Sequence, residues 1–137
     1  MLIKGLNTVM RLSNSSNGKI KTFFDSHLKE KLAQGISWAK ITEDILSELP
    51  NNVYVSFDID GLDPALCPNT GTPVLGGLST DQTFFMLKQL VQSGRKIIGF
   101  DLNEVSPGSQ MTSDWDGNVG ARVLFKLCNW TIESSKD

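Results

Sequence analysis

At 137 residues, 39% of them hydrophobic, the chain has enough apolar material for one ordinary core and the length of a single domain. Its formal net charge of -2 comes from interspersed signs, which excludes a basic face for nucleic acid or an anionic membrane, and no apolar run is long enough to cross a bilayer. Two cysteines, Cys67 and Cys128, and the lack of a signal-peptide core point to a reducing compartment, so a cytoplasmic protein with a small-molecule partner is expected.

Residues 1–18 are expected to be irregular, ending in the polar, turn-rich run Ser13-Asn14-Ser15-Ser16-Asn17-Gly18. A short strand is expected over Lys19 to Phe24, then a helix from about Ser26 to Ala33 with Leu28 and Leu32 on one face and Gly35 as its stop. Ser37 can cap a second helix in which Trp38, Ile41, Ile45 and Leu49 recur at helical spacing before Pro50 ends it. Val53, Tyr54, Val55, Phe57 and Ile59 are β-branched or aromatic and suit a strand buried on both faces. That strand ends in acid, Asp58-Ile59-Asp60-Gly61-Leu62-Asp63-Pro64. Side chains two apart on a strand point the same way, so Asp58 and Asp60 are expected on one face with Cα atoms roughly 6–7 Å apart.

A long loop follows, rich in Pro64, Pro68, Pro73, Gly71, Gly76 and Gly77, which forbid regular structure and let backbone approach a ligand. Ser79 and Gln82 form a capping-box pattern opening a helix with Phe84, Leu87, Leu90 and Val91 inward and Gly94 at its end. Lys96 to Leu102 is a second apolar strand that runs into Asn103 and Glu104. Strand, helix and strand in this order make the two strands parallel neighbours, so Asp58, Asp60 and Glu104 should converge on the edge where open α/β sheets bind ligands. A last helix, about Asn118 to Asn129, is expected to bury Ala121, Leu124, Phe125 and Cys128, and Cys67 fits a small apolar filler better than a reactive thiol.

A lone D-x-D is a weak signal, shared by solvated loops and by phosphate-handling enzymes. Here the acids sit in an apolar strand, where charges are paired or coordinate metals, so a metal site is favoured. A nucleotide-sugar enzyme is disfavoured, because no phosphate-cradling glycine turn precedes a helix and no basic residues cluster beside the acids.

Ser56 to Pro64, with the following Cys67-Pro68-Asn69-Thr70-Gly71-Thr72-Pro73-Val74-Leu75-Gly76-Gly77, resembles the signature of the ureohydrolases, the family of arginase, agmatinase and formimidoylglutamase. Asp101-Leu102-Asn103-Glu104-Val105-Ser106-Pro107 resembles a second landmark of that family. Trp115 to Arg122 is similar to the final helix of agmatinase-like members. The resemblance covers roughly residues 17 to 130. It implies the C-terminal half of a three-layer α/β/α fold with a parallel sheet flanked by helices. It also implies a centre of two Mn2+ ions whose hydroxide attacks a guanidinium or formimidoyl carbon, and a homo-oligomer in the complete enzyme. By the same resemblance Asp58 and Asp60 are metal ligands and catalytic carboxylates, while Glu104 pairs with the guanidinium and Thr72 contacts it. The plainer alternatives are that Glu104 caps a turn or pairs with Arg95 or Arg122, and that Thr72 serves turn chemistry.

The family pattern also has a histidine in a glycine-rich turn and a D-x-H-x-D run, both upstream of the segment present here. Neither occurs. Asp25-Ser26-His27 echoes the run, but Lys29 stands where its last acid should be, and His27 fits a helix start or surface position better. Two aspartates do not fill the coordination of two divalent ions. Residues 1–137 are therefore expected to form a single partial domain, the C-terminal part of a larger catalytic domain, inactive alone. The competing expectation is a non-catalytic remnant acting as an interaction or regulatory subunit.

Overall fold

The computed structural model describes residues 15–107 and 114–136. They fall into two compact units, one ending at Leu49 and the other beginning at Pro50. Of the N-terminal stretch expected to be irregular, residues 1–14 lie outside the described residues, and Ser16 to Gly18 form a turn.

In the first unit, Lys19 to Phe24 pairs with no strand among the described residues, so the expected strand is absent; a run of six has no ladder to join. Helix α1 spans Asp25–Ala33 and stops where Gly35 takes a φ of 85°, its amide and that of Ile36 returning to the carbonyls of Leu32 and Lys31. Helix α2 spans Trp38–Ser47, with the Ser37 hydroxyl accepting from the Lys40 amide, and buries Ile41, Thr42, Ile45 and Leu46. The two helices pack against each other. Around them Lys21 meets Glu48, Lys31 meets Asp44, and Lys40 meets both Glu43 and Asp44. His27 is exposed within α1, edge-on to Phe24, as a surface histidine would be.

The second unit is built on a parallel pair, β1 at Asn52–Asp58 and β2 at Lys96–Asn103, joined through helix α3 at Thr80–Gln92 and followed by helix α4 at Trp115–Glu133. This is the α/β class with helices flanking a parallel sheet. The register runs from Asn52 opposite Lys96 to Asp58 opposite Asn103, with a bulge that skips Ile98. The full Ser79/Gln82 capping box opens α3, and Gly94 closes it at positive φ. The core joins Ile59, Leu62, Cys67, Leu87, Val119, Val123 and Leu127, with Val55, Phe57, Phe100 and Leu102 of the strands against it.

Two expectations fail here. β1 is not buried on both faces: Tyr54 is 57% exposed, as is much of Ile98 on the neighbouring strand, because α3 and α4 supply the core on one side only. Helix α4 turns a different face inward, burying Asp116, Val119, Gly120, Val123 and Leu127 and leaving Ala121, Leu124, Phe125 and Cys128 outside. The inward stripe has Val119, Val123 and Leu127 at helical spacing, while Leu124 and Phe125 leave apolar surface on the outward face as well. The helix comes close to the segment after β2 at Gly120, where a Cβ would meet the Val105 methyls at 2.9 Å.

Candidate functional site

The C-terminal ends of β1 and β2 open on the same edge, as their parallel register requires. Asp58 is the last residue of β1 and is half-buried. Asp60 is not on the strand. A single 3-10 turn, Ile59–Gly61, begins immediately, with the Asp58 carboxylate accepting from the Asp60 amide at 3.4 Å and Ile59 driven fully into the core. The expected strand alternation therefore fails for this pair. A side-chain-to-backbone turn, rather than period-two geometry, sets Asp60 beside Asp58.

The loop after this turn is closed at its base. Leu62 and Leu78 form an isolated parallel bridge, with the Asp63 amide donating to the Leu78 carbonyl and the Leu78 amide to the Gly61 carbonyl, both at 3.0 Å. Gly77 makes the closure possible. Its φ is 76°, and a Cβ there would fall 2.3 Å from the Leu62 carbonyl oxygen. At the far side of the loop the Thr72 hydroxyl donates to the Asp60 carboxylate at 2.5 Å. Buried Thr70 donates to the backbone carbonyl of Glu104 at 3.0 Å, and a Cβ on Gly71 would stand 3.0 Å from the Glu104 carboxylate. Glu104 itself follows β2 and holds a φ of 63°, the left-handed region that a residue with a long side chain enters at a cost. The loop thus joins the two strand ends, touching Asp60 through Thr72 and Glu104 through Thr70 and Gly71.

Several groups that carry this arrangement were not picked out from the residue pattern. Asp101 accepts from the Ser56 hydroxyl at 2.8 Å and from Asn103; with Tyr54 as a further donor, these bonds hold its carboxyl below the usual range. The same contact with Asp101 pushes the Tyr54 phenol up. The Tyr54 ring lies over Gly99, where a Cβ would meet it at 2.9 Å. Asp116, in the first turn of α4, is completely buried, and both its oxygens accept from Asn69, one from the amide and one from the side chain, each at 3.0 Å. A signal for it exists in the sequence: Asp116 falls on the stripe of Val119, Val123 and Leu127, an acid on an apolar helical face. Cys67 is fully buried and its thiol donates to the Ile59 carbonyl at 3.2 Å; burial above all, aided by the surrounding acids, pushes it up to about 11. It is filler, not a nucleophile. Cys128 is exposed rather than core.

Among the described residues no three His, Cys, Asp or Glu side chains stand together as a metal site. Asp58 and Asp60 offer oxygen donors only, and two carboxylates do not fit a complete centre for two manganese ions. No helix among the described residues is long and apolar enough to cross a membrane.

Comparison with known proteins brings these features under one heading. Over 85 residues the chain is 48% identical to an agmatinase of Proteus mirabilis, covering 62% of this chain and 26% of that protein. It is 40% identical over 95 residues to a guanidinobutyrase of Pseudomonas aeruginosa, covering 66% and 29%. The chain therefore spans between a quarter and a third of these relatives. Among solved structures it superposes on proclavaminate amidino hydrolase from Streptomyces clavuligerus with a TM-score of 0.71 at 25% identity, over 90% of this chain and 38% of that one. A hypothetical agmatinase from Burkholderia thailandensis gives 0.61 at 33% identity, over 85% and 38%. The family model described as the arginase family matches residues 7–129, and the chain belongs to that family.

Proposed function

We propose that this chain carries the C-terminal part of a hydrolase site that cleaves the C–N bond of a guanidino or formimidoyl compound, and that residues 1–137 form one partial domain that is inactive alone. The observation that carries the reading is Glu104: an acid in the left-handed conformation, its carboxylate against Gly71, at the strand edge that also ends in Asp58. Backbone strain of this kind persists where a site needs a side chain aimed at a ligand. A carboxylate is the natural partner of a planar guanidinium, through paired charged hydrogen bonds. In this reading Glu104 holds the cation and Thr72 contacts it. Asp58 and Asp60 supply metal-binding carboxylates and act as the catalytic ones once other ligands complete the centre.

Since the donor set here does not fit two manganese ions, no step of the reaction is assigned to a metal on this chain. The substrate is a small molecule of the guanidino or formimidoyl class, and the working compartment is the cytoplasm. The complete enzyme is a homo-oligomer in this reading. The second reading, a non-catalytic remnant that associates with other chains, draws on the exposed apolar residues Leu124, Phe125 and Ile132 of α4.

A chimera separates the two. Residues 50–130 of this chain would replace the matching segment of the Proteus mirabilis agmatinase, and urea release from agmatine would be measured with Mn2+. Activity that disappears on Asp58→Asn and on Glu104→Gln is the expected result, with no release by the isolated chain. A folded chimera that binds manganese yet turns over no guanidino compound would leave the remnant reading standing.

A further inference from the structure

We propose that Asp116 is a positioning residue: its buried carboxyl clamps Asn69, and through Asn69 it sets the loop that carries Thr70 and Thr72 against Glu104 and Asp60. The clamp is a built feature. Asp116 is wholly out of solvent, yet its oxygens are matched to one loop residue, accepting from the Asn69 amide and from Nδ2 at 3.0 Å each. A buried carboxyl is costly unless so satisfied, and two bonds to a single residue fix both its position and its rotation. Beside it the Trp115 indole donates to the Ala65 carbonyl at 3.2 Å, so the first turn of α4 holds the loop at two points. Next in the chain is Thr70, whose hydroxyl reaches the Glu104 carbonyl, and two residues on is Thr72, bonded to Asp60. Asp116 touches neither acid. It acts on both through the four residues Asn69 to Thr72, which form no regular structure.

That the loop serves a guanidinium rests on the proposed hydrolase reading, whereas the clamp can be tested without activity. Asn69→Asp leaves the backbone amide bond to Asp116 in place and sets acid against acid across the side-chain bond, and Asp116→Asn added to it restores a donor–acceptor match there with the roles exchanged. The side-chain carboxyl carbon resonances of Asp60 and Glu104 would be recorded in the isolated chain, together with hydrogen exchange of the Thr70 amide. Asn69→Asp should shift both resonances and speed exchange at Thr70 by about tenfold, the loss expected from breaking one buried hydrogen bond. Amides of β1 and α3 should exchange as before, and the double variant should return every value. If Asn69→Asp prevents folding, Asn69→Ala, which removes only the side-chain bond, should give the same shifts in smaller measure. Unmoved resonances, or a double variant that fails to recover them, would overturn the proposal. An inactive chimera with the resonances behaving as described would instead count against the hydrolase reading alone.

Discussion

In the unit that ends at Leu49, hydrogen-bonded and paired polar side chains sit at helix ends or in solvent: Ser37 caps α2, and Lys21, Lys31 and Lys40 meet acids at the surface. In the unit that begins at Pro50, polar groups are taken out of water and tied to an irregular loop, as with Asp116 on Asn69 and Thr70 on Glu104. The first pattern serves helix propensity and solubility, and each exposed pair is worth little. The second costs desolvation and is kept where a loop must hold one shape. Function is therefore sought where the buried polar bonds are, and the helical unit serves as the internal control.

The largest effect that sharpens this contrast comes from the core. Leu127→Ala, at a fully buried position on α4, should cost about 2–5 kcal/mol. Ile41→Ala on α2 should cost a similar amount but disturb only the helical unit, and urea denaturation followed at amides of each unit checks both. Gly77→Ala comes next. Its Cβ would run into the Leu62 carbonyl at positive φ, so a loss of about 1–3 kcal/mol is expected, concentrated in exchange of the Asp63 and Leu78 amides.

Glu104→Gly should go the other way. Relief of the left-handed backbone should raise stability by about 1 kcal/mol, seen as a higher melting temperature, while guanidinium binding in the chimera is lost. A drop in stability would mean that the Glu104 side chain is structural.

Alkali gives a smaller, signed effect. The Cys67 thiol in the folded chain lies near 11, above its ordinary 9.0, so the unfolded chain gives up its proton first. Stability should be whole below about pH 9 and decline as pH rises toward about 11, and Cys67→Ala should lack that part of the decline. Smallest is Lys40→Ala: although Lys40 faces both Glu43 and Asp44, a change below about 0.5 kcal/mol is expected, and anything larger would weaken the contrast between the units.

Local chemistry was legible in the residues. Ser37, the Ser79/Gln82 box, Gly35 and Gly94 marked helix ends correctly, because caps depend on contacts a few residues apart. The parallel pairing followed from strand, helix and strand in sequence, and the family could be recognised from Ser56 to Gly77. The strand at Lys19 to Phe24 failed because a strand needs a partner, which no local pattern supplies.

The sequence by itself determined the helix ends that a cap or a glycine marks, that β1 and β2 run side by side, and that Asp58 and Glu104 lie at the same edge; the last helix, expected over Asn118 to Asn129, spans Trp115–Glu133 because no cap marks its ends. Only the tertiary structure decided how those acids are held. Asp60 sits in a 3-10 turn whose amide donates to the Asp58 carboxylate, and α4 turns Val123 and Leu127 inward with Gly120 close against Val105. Asp116 found Asn69 across 47 positions of sequence. Caps and periodicity are written over a few neighbouring residues, whereas these outcomes rest on which atoms meet once the chain has closed on itself.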